Sequence, residues 1–422
     1  MNKLITLIFL FASTLAIAQS PEVNYDEAKV PEYKLPPILE TKNGVKIKRV
    51  SQWEKKRKPE LLQLFEQEVY GKIPGKLEIT EVRIFEDSAE ALNGKAIRKQ
   101  VDLVFKKNNR ELTIGLLIYR PVNQEKVPVF LAYNFLGNHT ILNDPNIRLT
   151  ESWVRDNPSL GIVHNQVTEQ SRGVKESRWP VEMMIDAGFG LATAYYGDVD
   201  PDRDLFTDGI HPLFYADGQT RPRPNEWASI AAWAWGLSRI MDYLETEDEV
   251  NSDEVIVLGH SRLGKTALWA AASDPRFAMC ISNNSGCMGA ALSRRKFGET
   301  IAAINAKIPH WFNGNFKKYS DYEEELPVDQ HQLLALIAPR PLYIASATED
   351  LWADPKGEFL SAKLASAVYE LYGLEGLPAG QMPDPDKPIW GTVGYHIRTG
   401  PHDITPFDWQ QYLHFAKEQL EK

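Results

Sequence analysis

Five short apolar runs, separated by stretches with helical periodicity, organise the middle of the chain. They lie at positions 129–134, 190–195, 254–258, 278–282 and 342–346. Between the second and third runs, apolar residues recur at helical spacing over 227–244, which predicts a long amphipathic helix. Short buried strands that alternate with helices are typical of a parallel sheet covered on both faces. The pattern therefore predicts an α/β fold, a three-layer αβα sandwich with a mostly parallel central sheet.

Other elements are predicted upstream of these runs. Two stretches of alternating polar and apolar residues, at 96–105 and 112–119, predict antiparallel strands that lead into the sheet. Before them, a helical pattern begins at Glu60 and stops at Gly71.

The N-terminus has the features of a cleavable export signal. A basic residue precedes an apolar run, and Ala16 and Ala18 form the A-x-A pattern of a cleavage site. We therefore expect residues 1–18 to be a signal peptide and the mature protein to be exported, to a periplasm or to the medium. An uncleaved anchor would need about 18 or more unbroken apolar residues. Because the chain has no internal repeat and no low-complexity linker, we predict a single catalytic domain over 19–422, with an extended N-terminal arm at 19–55.

The charge balance limits the classes of partner. The 422 residues include 47 Lys and Arg and 57 Asp and Glu, which gives a formal net charge of -10. Such a surface repels polyanions, so neither nucleic acid nor an anionic membrane is an expected partner. Cys280 and Cys287 are the only cysteines, so disulfides cannot be the main source of stability in an exported protein. The sequence is compatible with a bridge between them and with two separate thiols.

The segment EVIVLGHSRLGKTALWAAA combines a β-branched strand, a tight turn at Ser261 and a helix that starts near Leu263. A serine on such a turn is the nucleophile elbow of α/β-hydrolases, where strained backbone exposes the hydroxyl above the sheet. The turn needs small neighbours, and Gly259 is one of them. The second glycine of the usual pattern is displaced by one position, to Gly264. The strand and helix on either side nevertheless predict that Ser261 is a nucleophile.

Arg262 directly follows this serine and begins the predicted helix. The first N–H groups of a helix have no partner within it and attract negative charge. We therefore expect the backbone N–H of Arg262, together with its guanidinium, to stabilise an acyl oxyanion. The alternative is that Arg262 forms an ordinary surface salt bridge.

A hydrolase of this class presents its catalytic groups in the chain order Ser, acid, His. Glu349 and Asp350 follow the strand at 342–346, where the acid belongs, and we favour Asp350 over Glu349. His396 and His402 lie in a Gly- and Pro-rich region before a final helical pattern. We favour His402 as the general base because it is closer to that helix. In this scheme Asp350 fixes the imidazole tautomer, and an acyl-enzyme forms and is hydrolysed by water.

The sequence predicts neither a metal site nor a cofactor. Four aspartates alternate like a calcium loop, at Asp198, Asp200, Asp202 and Asp204. Arg203, however, occupies the position of the required turn glycine, and Gly209 occupies the twelfth position, where a glutamate would bind. No Cys and His spacing fits a zinc site.

Several motifs together resemble the glucuronoyl esterases, carbohydrate esterase family 15, and particularly its bacterial members. They are GHSRLGK, NNSGCMGAALSRRKFGET, PHWF, ATEDLWADPKGEF and YHIRTGPHDIT, with NFLGNHT and YYGDVDPD further upstream. The resemblance implies a secreted serine esterase of the 4-O-methyl-glucuronoyl methylesterase type. Such an enzyme cleaves esters between (4-O-methyl-)glucuronic acid on xylan and lignin alcohols in lignocellulose. The expected partner is thus a glucuronoxylan or lignin-carbohydrate ester, bound by a monomer.

The resemblance also implies roles for individual residues. It makes Ser261 the nucleophile, Arg262 an oxyanion stabiliser and His402 the base. It further implies that Lys265, Glu299 and Trp352 line the uronate pocket, which suits a sugar because hydroxyls need polar partners and the ring needs an aromatic face. Without the resemblance, Lys265 would be an ordinary helix-face lysine and Trp352 a core residue.

The chain departs from the family pattern at one position. Many members have a catalytic glutamate directly before a Ser-Gly pair, whereas this chain has Asn284 there. Because a neutral amide cannot stabilise an imidazolium as a carboxylate does, we expect the acid to come from Glu349 or Asp350. Two alternative functions remain. The first is another hydrolase on the same fold, namely an acetyl xylan esterase, another carboxylesterase or an acyl-peptidase. The second is a catalytically inactive carbohydrate-binding protein. The residue types do not distinguish glucuronate from galacturonate.

Overall fold

A nine-stranded sheet forms the centre of a computed structural model that describes residues 23–122 and 124–422. The strands are β1 Glu81–Glu90, β2 Ala96–Lys107, β3 Arg110–Pro121, β4 Val127–Asn134, β5 Ile162–Val163, β6 Gln166–Val167, β7 Gly190–Tyr195, β8 Val250–His260, β9 Met279–Asn283, β10 Leu342–Ala347 and β11 Val393–Arg398. Their order in the sheet is β1-β2-β3-β7-β4-β8-β9-β10-β11, and β5 pairs with β6 in a separate hairpin. The predicted signal peptide, residues 1–18, lies outside the described residues.

The parallel part of the sheet runs from β7 to β11, and β1, β2 and β3 extend it in antiparallel fashion. All five apolar runs that predicted parallel strands form them, and the two predicted antiparallel strands pair with each other. The sequence missed β1 and β11. In β11 the periodicity is hidden because His396 and Arg398 are fully buried through their bonds to Asp408.

Helices cover both faces of this sheet. They are α1 Val50–Gln52, α2 Lys58–Phe65, α3 Ala91–Gly94, α4 Val181–Asp186, α5 Tyr196–Val199, α6 His211–Phe214, α7 Ser229–Leu244, α8 Arg262–Ser273, α9 Ile301–Lys307, α10 Gln330–Ala335, α11 Pro355–Leu371 and α12 Pro406–Leu420. Successive side chains of a strand point to opposite faces, so Val255 and Val257 of β8 join one core while Ile256 and Leu258 join the other. The first core holds α7, α8 and α11, and the second holds α4 and α12. The predicted three-layer αβα sandwich is confirmed.

The predicted helix at Glu60 begins earlier than its apolar pattern indicated. Helical backbone starts at Val50 and continues through wider turns at Trp53–Arg57 and Glu66–Tyr70 until Gly71. Its first turns are rich in Lys and Arg, which dilutes the apolar periodicity. Residues 50–55 of the predicted arm are therefore helical.

The arm is attached to the body of the molecule by polar contacts. Glu27 forms ion pairs with Arg295 at 2.5 Å and with Lys356 at 2.8 Å, and Arg295 also binds Asp354 at the start of α11. Cys280 and Cys287 are separate buried thiols. Over residues 23–122 and 124–422, no helix has the length and apolar character needed to cross a bilayer.

Candidate active site

Ser261 occupies the sharp turn between β8 and α8. Its φ of 57° and ψ of -129° lie in a region that non-glycine residues rarely adopt, as expected of a nucleophile elbow. The turn is so tight that a Cβ on Gly259 would lie 1.9 Å from the carbonyl oxygen of Leu263. A Cβ on Gly264, the displaced glycine, would lie 2.9 Å from the side chains of Ser282 and Ser285. Both glycines are therefore required for the close approach of strand and helix.

His402 and Asp350 lie in loops at the same edge of the sheet. Asp350 follows β10 and His402 follows β11, and these strands are parallel neighbours. His402 Nδ1 lies 2.5 Å from Asp350 Oδ2, with the carboxylate buried and the imidazole 38% exposed. Glu349, the alternative acid, is exposed to solvent. The arrangement lets Asp350 fix the imidazole tautomer and leaves Nε2 for proton transfer.

Asn284 contacts the same carboxylate oxygen as His402. Its side-chain N–H donates to Asp350 Oδ2 at 2.8 Å, and its backbone N–H donates to Ala345 at 2.7 Å. The backbone φ of 48° is left-handed, a conformation that asparagine tolerates better than most residues. The residue that departs from the family pattern thus supports the acid by a hydrogen bond, a role that sequence reasoning missed.

Arg262 begins α8 and lines the cavity in front of Ser261. Its guanidinium forms an ion pair with the buried Asp202 and lies 5.0 Å from the ring centroid of Trp311. The alternative of an ordinary surface salt bridge does not apply, because its partner is buried inside the site.

Lys265, Glu299 and Trp352 also line the cavity that contains Ser261. Lys265 Nζ lies 2.9 Å from Glu299 Oε2, and the lysine is buried. The backbone N–H of Glu299 donates to the carbonyl of Trp352 at 2.8 Å, so two distant segments are joined. This approach requires a glycine at position 298, where a Cβ would lie 2.4 Å from the carbonyl of Leu351.

All of these groups line one cavity of about 610 Å³. Its volume suits a small molecule or one sugar of a larger chain. The lining includes Ser261, Arg262, His402, Asp350, Lys265, Glu299 and Trp352. It also includes Phe135, Trp153 and Lys307, which sequence reasoning did not single out. The ammonium of Lys307 lies 4.3 Å from the centroid of the Trp352 ring, over one of its faces.

His396 and His260 have surroundings that differ from those of His402. His396 is fully buried, with Nε2 2.8 Å from Asp408 and Nδ1 3.0 Å from the Tyr343 hydroxyl. His260 is buried with its ring centroid 4.6 Å from that of His402. Burial, together with the nearby charge of a protonated His402, holds the pKa of His260 well below its usual range. His260 therefore presents a neutral ring to His402.

A buried carboxyl group, Glu358 of α11, lies behind the acid loop. It accepts hydrogen bonds from the backbone N–H of Gly286 at 2.9 Å and from the Ser346 hydroxyl at 2.6 Å. Burial raises its pKa to about 8, although both hydrogen bonds lower it. Glu358 is thus protonated at neutral pH and joins the loop that carries Asn284 to β10.

The aspartates that alternate like a calcium loop point to different partners. Asp198 accepts from the Ser152 hydroxyl at 2.6 Å, Asp202 binds Arg262, and Asp204 pairs with Arg221 at the surface. Among residues 23–122 and 124–422, no cluster of three or more His, Cys, Asp or Glu side chains is arranged to hold a metal ion.

Comparisons with known proteins identify close relatives over the whole chain. Residues 222–373 match the family model described as "Glucuronyl esterase, fungi". Carbohydrate esterase MZ0003 of an unknown prokaryotic organism is 50% identical over 431 residues, which cover 100% of this chain and 99% of that protein. A promiscuous CE15 esterase from a marine bacterial metagenome has a similar structure, with a TM-score of 0.88 and 52% identity over 94% of this chain and 100% of its own. The glucuronoyl esterase from Solibacter usitatus has a TM-score of 0.88 and 49% identity, over 93% of this chain and 99% of its own.

Proposed function

The chain belongs to the glucuronoyl esterases of carbohydrate esterase family 15, and from this premise we propose how it cleaves esters of (4-O-methyl-)glucuronic acid. Ser261 attacks the ester carbonyl while His402 Nε2 removes the hydroxyl proton. Asp350 accepts the Nδ1–H of His402 and stabilises the imidazolium that forms. His402 then returns the proton to the leaving alcohol, and an acyl-enzyme remains on Ser261. Water hydrolyses this intermediate by the reverse proton path.

Arg262 stabilises the oxyanion in both steps. Its guanidinium lines the cavity, and α8 begins at this residue, so the first N–H groups of the helix are free of intrahelical partners. Such preorganised donors are typically worth a factor of about 10²–10³ each in turnover.

Lys265, Glu299 and Trp352 recognise the uronate. The lysine and glutamate hold each other in place and present a donor and an acceptor to sugar hydroxyls. An aromatic ring beside them suits the C–H face of a pyranose. Since the ester leaves the uronate carboxyl uncharged, the cavity needs no excess of positive charge to bind it.

One observation carries the proposed mechanism. The 2.5 Å contact between His402 Nδ1 and Asp350 Oδ2 lies in the same cavity as the strained Ser261. A histidine oriented by a carboxylate, next to a serine on an elbow, is the arrangement that activates a hydroxyl for acyl transfer.

The test is the release of alcohol from defined esters by the purified protein. We expect rapid hydrolysis of the methyl ester of glucuronic acid, slower release of acetate from acetylated xylan, and no hydrolysis by the Ser261→Ala variant. Including the galacturonate ester determines which epimer fits. Faster release of acetate than of methanol would favour an acetyl xylan esterase. No detectable hydrolysis of any of these esters would favour a carbohydrate-binding protein.

The remaining proposals concern the setting of the enzyme. We propose that residues 1–18 direct its export to a periplasm or to the medium, and that residues 19–422 act as a single-domain monomer. There it would act on glucuronoxylan or on lignin-carbohydrate esters. A size-exclusion measurement on protein recovered from outside the cytoplasm tests both export and oligomeric state.

A further inference from the structure

Three segments converge on the buried carboxylate of Asp202. Oδ1 lies 2.7 Å from His310 Nε2 and accepts the indole N–H of Trp311 at 2.8 Å. Oδ2 accepts the hydroxyl of Tyr196 at 3.1 Å and forms the ion pair with Arg262. Because an ionised carboxylate can only accept, His310 Nε2 must carry its proton.

The surroundings of Asp202 keep it ionised. Burial alone would raise the pKa of its carboxyl, but the hydrogen bonds from His310 and Trp311 and the charge of Arg262 hold it well below its usual range. A fixed negative charge is therefore present at this point of the cavity wall.

Arg262 depends on this charge for its orientation. An arginine side chain has many rotamers, and fixing one of them costs conformational entropy. Here Nη1 is held by Asp202, and the guanidinium carbon lies 5.0 Å from the ring centroid of Trp311 and 5.6 Å from that of Phe135. Within residues 23–122 and 124–422, Nη2 makes no hydrogen bond. The anchored guanidinium therefore retains donors for a ligand in the cavity.

We propose that Asp202 is a positioning residue for ester cleavage: it holds the Arg262 guanidinium at the place where the acyl oxyanion forms. This role rests on the proposed function, in which Arg262 stabilises that oxyanion. Asp202 itself touches Arg262, Tyr196, His310 and Trp311, and it acts on the reaction through Arg262 alone. The kinetic effects of substituting Asp202 and Arg262 should therefore be coupled.

A double-mutant cycle tests this coupling. We measure kcat and KM on the methyl ester of glucuronic acid for Asp202→Asn, Arg262→Ala and the double variant. In the presence of Arg262, Asp202→Asn should lower kcat by about 10²-fold with a smaller change in KM, because a misplaced charge stabilises the transition state poorly. In the Arg262→Ala background the same change should cost less than about twofold, because nothing remains to be positioned.

The matched control is Asp204→Asn. Asp204 lies in the same loop and pairs with Arg221 at the surface, so its loss should leave kcat unchanged. The proposal is wrong if Asp202→Asn retains kcat within about threefold of the unaltered enzyme, or if it costs the same factor with and without Arg262. If thermal unfolding shows that Asp202→Asn does not fold, Asp202→Glu replaces it in the cycle, since it keeps the charge but displaces the carboxylate by one methylene.

A second substrate separates this proposal from the proposed function. Hydrolysis of 4-nitrophenyl acetate uses the same acyl transfer without a sugar. If the unaltered enzyme cleaves this ester but no uronate ester, the proposed substrate is wrong. The double-mutant cycle is then measured on 4-nitrophenyl acetate, and the same coupling between Asp202 and Arg262 is expected.

Discussion

Asp350 and Glu349 are neighbours in the chain with opposite surroundings. The backbone of β10 ends just before them, and only Asp350 points toward His402, where Asn284 also contacts it. Glu349 faces solvent. A buried carboxylate that accepts hydrogen bonds from two side chains is held in one orientation. An exposed carboxylate is not.

The variant Asp350→Asn should lower kcat by about 10⁴-fold, the loss typical of a triad whose acid becomes an amide and selects the wrong imidazole tautomer. Glu349→Gln, the matched change one residue earlier, should leave kcat within about twofold of the unaltered enzyme. The exposed Glu349 carboxylate forms no hydrogen bond or ion pair with the residues that the structure describes. Steady-state kinetics on the methyl ester of glucuronic acid compare the two variants. A large loss in Glu349→Gln with little loss in Asp350→Asn would assign the acid to Glu349.

The residues of the site could be predicted to different extents, for a physical reason. Ser261 and Asp350 stand at strand ends, and the sequence around each of them carries its own local signal. Asp202 and Glu358 carry no such signal, because their surroundings are supplied by segments far away in the chain. At Asn284 only the missing charge could be read from the residue types, whereas the hydrogen bond to Asp350 depends on the three-dimensional structure.

Glu358 should make stability depend on pH. Its pKa is raised from 4.5 to about 8 by burial, so the folded state binds a proton that the unfolded state has lost. Between these two pH values the free energy of unfolding should therefore fall as pH rises, by up to about 1.4 kcal/mol per pH unit from this group alone. The contribution of Glu358 to the free energy of unfolding is fully present below pH 4.5 and is lost as pH rises through about 8.

The variant Glu358→Gln keeps the shape of the protonated carboxyl and removes its titration. Urea unfolding at several pH values should show a flatter decline in stability for Glu358→Gln than for the unaltered protein. If the free energy of unfolding falls equally with pH in the two proteins, Glu358 is ionised in the folded state at neutral pH.

At the scale of elements, the junction of β8 and α8 has no spare volume. Gly259 allows the strand to pass within contact of Leu263 in the helix that follows the elbow. The positive φ of Ser261 depends on this close approach, because the surrounding structure must hold the strained residue in place.

The variant Gly259→Ala should lower the free energy of unfolding by more than about 3 kcal/mol, since its Cβ would overlap backbone rather than a flexible side chain. Gly380→Ala is the matched control, because nothing lies within 4 Å of a Cβ at that position. Urea unfolding measures the difference. Equal stability of the two variants would show that the turn can open without cost.

The elements themselves were predictable where burial follows the simple apolar pattern. Strand β8 and helix α7 are apolar on the faces they bury, so their positions could be read from the sequence. Strand β11 buries an ion-paired histidine and arginine, and the residues before Glu60 are mainly charged. In both places charged residues interrupt the apolar pattern, so periodicity alone does not reveal the element.

At the scale of the whole molecule, the net charge of -10 affects how the protein associates with charged polymers. Xylan that carries free uronates is a polyanion, so the protein repels it, whereas a small methyl ester is uncharged. Raising the salt concentration screens the repulsion.

The value of kcat/KM on uronate-rich xylan esters should therefore rise about two- to threefold between low salt and 0.5 M NaCl. For the methyl ester of glucuronic acid it should stay constant over the same range, which makes the small ester an internal control. A fall in kcat/KM on the polymer with added salt would indicate a positively charged binding surface instead.

The loop that carries the proposed base comes last in chain order among the three loops of the site. Ser261 follows β8 and Asp350 follows β10, whereas His402 follows β11, the edge strand and the last of these three strands in chain order. On the ribosome, the nucleophile and its acid are therefore synthesised well before the group that activates them. A growing chain that does not yet include His402 should therefore hydrolyse no ester, because Ser261 then lacks its proposed base.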